Sequence, residues 1–314
     1  MYYIGIDLGG TSIKAGLVDE KGKILVKSTC PTLVERGAKP VVDDMAKLCL
    51  DVIAKGGVTL DEVKCIGIGL PGIQDPRTGH VPFCTNLYWH EVPVIEWMHE
   101  TIDKPIYIGN DATVAGLAES VSGVSAGVKD SVFLTLGTGV GGGIVINGKV
   151  YSGTHGVGSE LGHMITVVDG EQCTCGNKGC WERYASATAI IRMAKEALKA
   201  DPASMILTLA GTEDKIEAKH VFDAAKAGDA TALKVFDKYV YHLCVGLVGI
   251  INFMDPEVIV LGGGVSHAGQ FLLDAVRAKL PEMVFYKTMP YARIELATLG
   301  NDAGIIGAAM LGRE

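Results

Sequence analysis

The apolar residues at the start of the chain fall into three short runs, which predict three β-strands joined by tight turns. Residues 2–7, 13–18 and 24–27 are rich in Ile, Val, Leu and Tyr, and glycines separate the runs. Gly9 and Gly10 therefore lie in a hairpin loop. Because a strand follows these glycines, and neither a helix nor a Gly-Lys-Ser/Thr sequence does, we exclude a Rossmann loop and a P-loop.

The same order of strand, glycine loop and strand recurs in the second half of the chain. Apolar runs at 131–136 and 141–146 flank Gly137, Thr138 and Gly139. Glycine hairpins present bare backbone N–H groups, which bind phosphate oxygens. The repetition suggests two similar domains that face each other across a cleft, with a phosphate chain held between their loops.

A third run of glycines lies between an apolar strand at 258–261 and a helical pattern at 267–280, the usual place for the base and sugar of a nucleotide. Asp7, at the end of a buried strand, is placed to hold a hydrated Mg²⁺ ion. Taken alone, the first loop is better explained as an ordinary tight hairpin with a capping aspartate. The candidate nucleotide-binding residues are Asp7, Gly9, Gly10, Thr11, Lys14, Gly137, Thr138, Gly139, Gly262, Gly263 and Gly264.

Asp111 lies at a predicted junction between a strand (104–109) and a helix (112–121), where side chains project into a cleft. The alternative is a purely structural helix cap, because Asn and Asp are both favoured at that position. Residues 66–72 and 85–87 are predicted as two further loops on the same edge. Their small residues and amide side chain suit hydrogen bonds to hydroxyl groups.

One histidine and three cysteines fall within a short segment of the chain, and they predict a metal site. The candidate ligands are His163, Cys173, Cys175 and Cys180. Three thiolates and one imidazole complete a tetrahedral zinc shell of the structural type, and the intervening glycines allow sharp turns. Glu160 and Glu182 flank the segment, so a bound ion would hold two carboxylates in place for a polyhydroxylated ligand. A disulfide is the alternative, which a reducing compartment disfavours.

The composition is that of a globular protein, with 48% hydrophobic and 20% charged residues in 314, a length sufficient for two domains. A net charge of −8 argues against a nucleic-acid partner. We see no signal peptide, and no uncharged apolar run reaches the ~20 residues of a membrane span, so we expect a cytoplasmic protein without a membrane partner. The apolar segment 237–253 predicts a buried central helix.

Together these motifs resemble the ROK family of sugar kinases. The matching stretches follow the family's order over almost the whole chain, at 7–11, 70–72, 110–111, 136–143, 160–163, 173–182 and 261–264. The resemblance implies an α/β protein with the two-domain actin/hexokinase/Hsp70-like (ribonuclease H-like) fold and an active-site cleft between the domains. We place a small domain at 1–112 and a large domain at 113–300, with a C-terminal helix at 301–314 packing back on the small domain.

The resemblance also implies an activity, which is ATP-dependent phosphorylation of a hexose with glucose as the expected acceptor. ATP, Mg²⁺ and a structural Zn²⁺ are the implied cofactors, and Asp111 resembles the general base. The implied sugar contacts are Gly72, Thr85, Asn86, Asn110, Asp111, Glu160, His163 and Glu182. Ser159 departs from the glycine that many relatives carry before the glutamate, a difference that bears on how this loop approaches the sugar.

Two other functions share parts of this pattern. Some ROK proteins are sugar-responsive repressors with a DNA-binding domain ahead of the first strand; here that strand begins at Tyr2 and the charge balance is acidic, so we expect an enzyme. Kinases for N-acetylmannosamine, allose or fructose carry the same core motifs, which therefore do not separate them from a glucose kinase. The family usually forms dimers, and the resemblance is the main reason to expect a homodimer.

Overall fold

The computed structural model describes residues 1–75 and 77–313, which form a mixed α/β protein. The strands are β1 Tyr2–Leu8, β2 Ser12–Asp19, β3 Ile24–Pro31, β4 Val63–Leu70, β5 Ile73–Asp75, β6 His80–Cys84, β7 Trp89–Val92, β8 Ile106–Asn110, β9 Ser131–Leu136, β10 Val140–Ile146, β11 Lys149–Val150, β12 Val258–Gly262 and β13 Arg293–Leu296. The α-helices are α1 Ala38–Gly56, α2 Val94–His99, α3 Asp111–Ser122, α4 Glu182–Ala185, α5 Ala187–Leu198, α6 Met205–Ala210, α7 Ala218–Lys226, α8 Ala230–Met254, α9 Gln270–Met283 and α10 Ala303–Met310.

The chain divides into two compact units. The first unit comprises Met1–Phe133, Gly143–Ser159 and Thr298–Glu314, and the second comprises Leu134–Gly142 and Glu160–Ala297. This grouping differs from the division at 112 and 300 expected from the sequence, since α3 packs with α10 inside the first unit. A Cβ atom on Gly307 of α10 would lie 1.6 Å from the carbonyl oxygen of Val114 in α3, so the two helices approach to backbone contact.

The first unit is built on a five-stranded sheet with the order β3-β2-β1-β4-β8. β1, β2 and β3 pair as antiparallel neighbours, whereas β4 and β8 join in parallel. Apolar residues of these strands pack with α1 and α2 in one buried cluster. Gly5 and Gly67 lie in register, and a Cβ on either would meet a carbonyl oxygen of α10 at less than 2 Å, at Ile305 and Ala308 respectively. These glycines let α10 lie directly on the sheet.

The loop predicted at 66–72 is wrong over most of its length, because residues 66–70 belong to the buried strand β4. The chain turns only after Leu70. Gly67 and Gly69 suggested a turn, but they serve helix packing: a Cβ on Gly69 would lie 2.7 Å from the Val114 side chain. A glycine in a strand can mark the close approach of a neighbour as well as a bend.

A second five-stranded sheet has the order β11-β10-β9-β12-β13, with β10 and β11 antiparallel and β12 and β13 parallel. It repeats the first sheet's order of three consecutive strands followed by two crossover strands. The predicted repetition of strand, glycine loop and strand is therefore confirmed. A small antiparallel sheet of β5, β6 and β7 completes the strands of the described residues.

The apolar segment at 237–253 lies in α8, a helix of 25 residues that buries one long face. Its apolar character nearly all round does not make it fully buried, since Tyr241 is 48% exposed and Phe253 is 90% exposed. Within residues 1–75 and 77–313, none of the helices combines the length and apolar character that a membrane crossing requires.

Candidate active site and metal cluster

The first glycine loop joins β1 to β2 and is held closed from two directions. The Gly9 N–H donates to the Ser12 carbonyl at 3.0 Å. Thr32, which follows β3 and is fully buried, donates from Oγ1 to the Gly9 carbonyl at 2.6 Å and from its N–H to the Thr11 carbonyl at 3.1 Å. Gly10 and Thr11 remain exposed at the tip.

Asp7 ends β1 beside this loop. Lys14 Nζ lies 3.2 Å from Asp7 Oδ2 across the paired strands. A Cβ on Gly304, in the first turn of α10, would lie 2.6 Å from Asp7 Cγ, so the carboxylate sits against the start of that helix. The helix dipole favours a negative charge there. A partly exposed single carboxylate fits Mg²⁺, which binds proteins through one or two carboxylates and keeps waters and phosphate oxygens as its other ligands.

Asn110 and Asp111 stand at the junction of β8 and α3, as predicted. Asn110 is the helix cap: its Oδ1 accepts from the N–H groups of Ala112 and Thr113 at 2.9 and 3.4 Å. Asp111 is the first helical residue and is exposed, and its Oδ1 accepts from Ala112 N–H at 2.8 Å. The purely structural role of a helix cap is therefore filled mainly by Asn110.

Thr85 and Asn86 lie exposed in a 3₁₀ turn at Thr85–Leu87. A Cβ on Gly10 would lie 3.7 Å from the Asn86 carbonyl oxygen, which places this turn against the first glycine loop. Burial raises the pKa of the neighbouring Cys84 thiol, N–H groups of Leu87 and Asn86 lower it, and the Asp111 carboxylate raises it further.

Gly72 adopts φ +92°, and a Cβ there would lie 2.5 Å from the Phe83 carbonyl oxygen, so no other residue fits without movement. The buried side chain of Gln74 holds the turn by donating from Nε2 to the carbonyls of Leu70 and Gly72 at 2.9 and 2.7 Å. Gly72 is thus explained by backbone packing, whether or not a ligand approaches it.

The second glycine loop lies in the second unit, between β9 and β10. Gly137 N–H donates to the Gly139 carbonyl at 3.0 Å. Gly263 of the third glycine run has φ +78°, and a Cβ on it would lie 2.6 Å from the Leu136 nitrogen. The chain next forms a 3₁₀ turn at Gly264–Ala268 before α9 begins, so the predicted helix starts later than its pattern suggested. The third glycine run therefore lies against the end of β9, directly before the second loop.

His163, Cys173, Cys175 and Cys180 form one cluster, with a ligand atom of each within 4.8 Å of all the others. Cys175 Sγ and Cys180 Sγ are 3.5 Å apart, and Cys173 Sγ lies 3.8 Å from His163 Nδ1. Zinc–sulfur bonds of ~2.3 Å in a tetrahedron require sulfur atoms about 3.8 Å apart, whereas a disulfide needs about 2.05 Å. The four residues fit a closed zinc shell, and the cysteines are free thiols.

The backbone between the cysteines is shaped for this cluster. Gly176 and Gly179 adopt φ +96° and +80°, and a Cβ on Gly179 would lie 1.7 Å from the Val167 carbonyl oxygen. Cys173 N–H donates to the Asn177 carbonyl at 2.8 Å. Gln172 Nε2 lies within 3.1 to 3.2 Å of three carbonyl oxygens of the same turn. The turn can thus present its sulfurs to one point.

The three thiols differ in acidity. Burial raises the pKa of Cys180 to about 12 and also raises that of Cys173. The N–H of Asn177 lowers the pKa of the exposed Cys175. Cys175 is thus the thiol that most readily becomes a thiolate, the form that binds metals.

The two acidic residues that flank the cluster lie against it. His163 turns Nδ1 to Cys173, and its other nitrogen, Nε2, lies 3.9 Å from Glu160 Oε2. Cys173 Sγ lies 3.1 Å from Glu182 Oε1. A Cβ on Gly139 would lie 2.5 Å from Glu182 Oε2, so this carboxylate also rests on the second glycine loop. Glu160, His163 and Glu182 are thereby brought to one cluster.

Among the residues that the sequence did not single out, Thr32, Gln74, Gln172 and Trp181 support these groups. Trp181 is fully buried, donates from Nε1 to the His242 carbonyl at 2.8 Å, and lies on Gly246 of α8, where a Cβ would be 2.0 Å from its ring. The position of Trp181 between a candidate metal ligand and a candidate carboxylate could have identified it from the sequence. Single polar residues such as Thr32 had no such signal.

Ser159 is part of the first unit and precedes Glu160. Its Oγ lies 3.3 Å from Thr113 Oγ1, in the first turn of α3. A glycine could not make this hydrogen bond, so the departure at Ser159 links the loop to the helix that begins with Asp111.

Comparison with known proteins decides the family. The sequence model of the ROK family matches residues 3–314. The chain belongs to the ROK family. A glucokinase of Thermotoga maritima is similar to this ROK protein, with 40% identity over 99% of this chain and 97% of the relative.

Solved structures agree with this assignment. A ROK family glucokinase from Streptomyces griseus, in complex with glucose and AMPPNP, has 36% identity and a TM-score of 0.81 over 100% of this chain and 99% of its own. A ROK hexokinase from Thermus thermophilus has 32% identity and a TM-score of 0.85 over 99% and 97% of the two chains. These likenesses confirm the predicted fold class, an α/β fold of the actin/hexokinase type.

Proposed function

We propose that this ROK protein transfers the γ-phosphoryl group of ATP to the 6-hydroxyl of glucose. The observation that carries the proposal is the set of carboxylates and imidazole at 160, 163 and 182, held by one cysteine cluster, in a chain whose relatives of 36–40% identity are named glucokinases. A sugar kinase needs such fixed acceptors for hydroxyl groups, a base, and loops for phosphate.

Asp111 is the proposed general base. Phosphoryl transfer passes through a loose transition state, so the protein mainly positions the groups and stabilises charge. A plain carboxylate suffices when it lies within about 2.6–3.2 Å of the attacking oxygen. Two features of Asp111 support this role: the residue is exposed, and its Oδ1 accepts a hydrogen bond from the Ala112 N–H.

The sugar contacts are divided by chemistry. Glu160 and Glu182 accept hydrogen bonds from hydroxyl groups. The His163 ring turns Nδ1 to the cysteine cluster, which leaves Nε2 to contact a sugar hydroxyl. Asn110 uses its side-chain oxygen as a helix cap, which leaves its amide hydrogens as donors to a hydroxyl. Thr85, Asn86 and the backbone at Gly72 complete the proposed contacts.

The nucleotide is proposed to lie on the glycine loops at 9–11, 137–139 and 262–264, with Asp7 and Lys14 near its phosphates. Mg²⁺ bound with Asp7 would neutralise charge on the phosphate oxygens. The exposed tip of the first loop presents the Gly10 N–H and the Thr11 hydroxyl as donors to an anion.

Zinc is proposed as a structural ion held by His163, Cys173, Cys175 and Cys180. Its binding would contribute to the folding free energy of this segment, because the complete ligand set is formed only in the folded chain. The residues that act on the sugar are Glu160, His163 and Glu182, and the ion only keeps them in place.

A phosphorylation screen with ATP across glucose, mannose, fructose, allose and N-acetylmannosamine tests the assignment. We expect glucose to have the highest kcat/KM and the product to be the 6-phosphate. Another sugar ranking first would replace glucose while leaving the kinase class intact. No turnover of any sugar, in a protein that binds AMPPNP, would reject a kinase.

A homodimer is a further proposal, which the family resemblance motivates. The second unit exposes a small apolar surface made of Phe285, Tyr286 and Met289, at 79%, 62% and 59% exposure. Sedimentation of the wild-type protein should give the dimer mass. A monomer at all concentrations tested would refute the proposal.

A further inference from the structure

The second glycine loop is held on one side by the helix that follows the cysteine cluster. The N–H of Ala187, the first residue of α5, donates to the Gly137 carbonyl at 2.7 Å. The hydroxyl of Thr188 donates to the Thr138 carbonyl, also at 2.7 Å. Two consecutive carbonyls of the loop are therefore bound by two consecutive residues of the helix.

Thr188 is itself held by a short chain of hydrogen bonds. Its single hydroxyl hydrogen goes to Thr138, so the Ser186 hydroxyl at 2.9 Å must donate to Thr188 Oγ1. Ser186 is buried and caps α5, accepting from the Ala189 N–H at 3.1 Å. Each bond in such a chain polarises the next, and the rotamer of Thr188 is fixed by both ends.

These bonds set the direction of the loop's N–H groups. In a planar trans peptide the carbonyl and the following N–H point in opposite directions. Because the carbonyls of Gly137 and Thr138 face α5, the N–H groups of Thr138 and Gly139 face away from it. Two successive N–H groups on one side of a loop form a concavity that binds anions.

We propose that Thr188 is a positioning residue for the nucleotide phosphates, because it fixes the peptide plane that carries the Gly139 N–H. This inference rests on the proposed function, in which the loop at 137–139 binds phosphate. Thr188 lies outside every glycine motif of the chain. Its side chain is exposed, so the bond to the loop and not core packing is what it contributes.

The test compares Thr188→Val, which keeps the shape and loses the hydroxyl, with Thr188→Ser, which keeps the hydroxyl. Val and Thr have similar helix propensities, so α5 itself is little changed. Thr208→Val is the matched control, an exposed threonine on α6. The measurements are the Kd of AMPPNP and of glucose by calorimetry, the KM of ATP, and the thermal midpoint.

Thr188→Val should raise the Kd of AMPPNP and the KM of ATP by roughly 3- to 10-fold, the worth of one hydrogen bond. The Kd of glucose should stay within about twofold, as should every constant of Thr188→Ser and Thr208→Val. An unchanged AMPPNP affinity in Thr188→Val would refute the inference. Equal weakening of glucose, or equal damage in Thr188→Ser, would refute it too, since either indicates general disruption.

The same experiment distinguishes failure of the positioning role of Thr188 from failure of the proposed function. A wild-type protein that binds glucose and AMPPNP and turns over, with a normal Thr188→Val variant, rejects the positioning role alone. A wild-type protein that neither binds AMPPNP nor phosphorylates a sugar rejects the proposed function, and the role of Thr188 with it.

Discussion

The two glycine hairpins of this protein have one sequence pattern and one kind of support, but different parts of the chain provide it. Around the first loop, Thr32 binds the carbonyls of Gly9 and Thr11 through its hydroxyl and its N–H. Around the second loop, the Thr188 hydroxyl and the Ala187 N–H bind two carbonyls in the same way. In each case one hydroxyl and one backbone N–H orient the loop.

The difference lies in what stands behind each threonine. Thr32 is fully buried and directly follows β3, so the sheet itself supports the first loop. Thr188 is exposed on a helix that the chain enters from the cysteine cluster and Glu182. The second loop also meets the Glu160–His163 turn, because a Cβ on Gly162 would lie 2.0 Å from the Val140 carbonyl oxygen. The second loop is therefore built onto the segment that carries Glu160, His163 and Glu182, whereas the first loop lies beside the turn that carries Thr85 and Asn86.

The largest expected effect is on kcat, and it distinguishes the chemical step from sugar binding at a residue of the first unit. Asp111→Asn keeps the size of the side chain and its bond to the Ala112 N–H but removes the proton acceptor. We expect kcat to fall by roughly 10²–10⁴, the usual worth of general-base catalysis, while the Kd of glucose is largely kept. Steady-state kinetics and calorimetry measure the two quantities.

The control for Asp111→Asn is Asp103→Asn, an exposed carboxylate in the turn before β8. It should leave kcat unchanged. If Asp111→Asn kept more than about a tenth of the wild-type turnover, the base would have to be another residue.

The next prediction tests whether the proposed sugar contacts Glu160, His163 and Glu182 depend on the metal. Cys175→Ser removes one ligand of the closed cluster. Elemental analysis should find one zinc per wild-type chain and much less in the variant. We expect the thermal midpoint to fall by about 5–10 °C, as ~2–3 kcal/mol implies for a unit of this size, and the KM of glucose to rise at least about tenfold.

Cys30→Ser serves as the control, because Cys30 is free, half-buried and far from the cluster in sequence. The KM of ATP in Cys175→Ser should rise less than that of glucose. Wild-type protein without zinc, or a variant that binds glucose normally, would mean that the cluster does not organise Glu160, His163 and Glu182.

Gly139→Ala examines the contact between the second loop and Glu182. The added Cβ would lie 2.5 Å from Glu182 Oε2, whereas a Cβ on Gly137 meets nothing within 4 Å. The added Cβ should displace the Glu182 carboxylate, which is the end of a flexible side chain, and so weaken its hydrogen bond to the sugar. The KM of glucose should rise roughly five- to tenfold, the worth of one hydrogen bond, while Gly137→Ala changes it little. If the two alanine variants had equal glucose KM values, the contact would have no bearing on the sugar.

Sequence patterns predicted most of what is local in this molecule. Alternating apolar runs gave both hairpins, and ligand spacing gave the cysteine cluster, because strand period and metal geometry depend on near neighbours in the chain. They failed at 66–70, where Gly67 and Gly69 face helices that come from distant segments. Thr32 and Thr188 were missed for the same reason: each acts on a loop more than twenty residues away.

The smallest expected effect is that of Thr32→Val, which tests whether Thr32 and Thr188 support their loops in equivalent ways. The hydroxyl is buried and donates to the Gly9 carbonyl at 2.6 Å, so its loss should lower the free energy of unfolding by about 1 kcal/mol. The KM of ATP should rise by a few-fold, because the Gly10 peptide loses its anchor. Thr188→Val should change ATP binding without this loss of stability, since its hydroxyl is exposed. Urea unfolding of both variants measures the difference. Equal stabilities would show that burial of the first threonine does not distinguish the two loops.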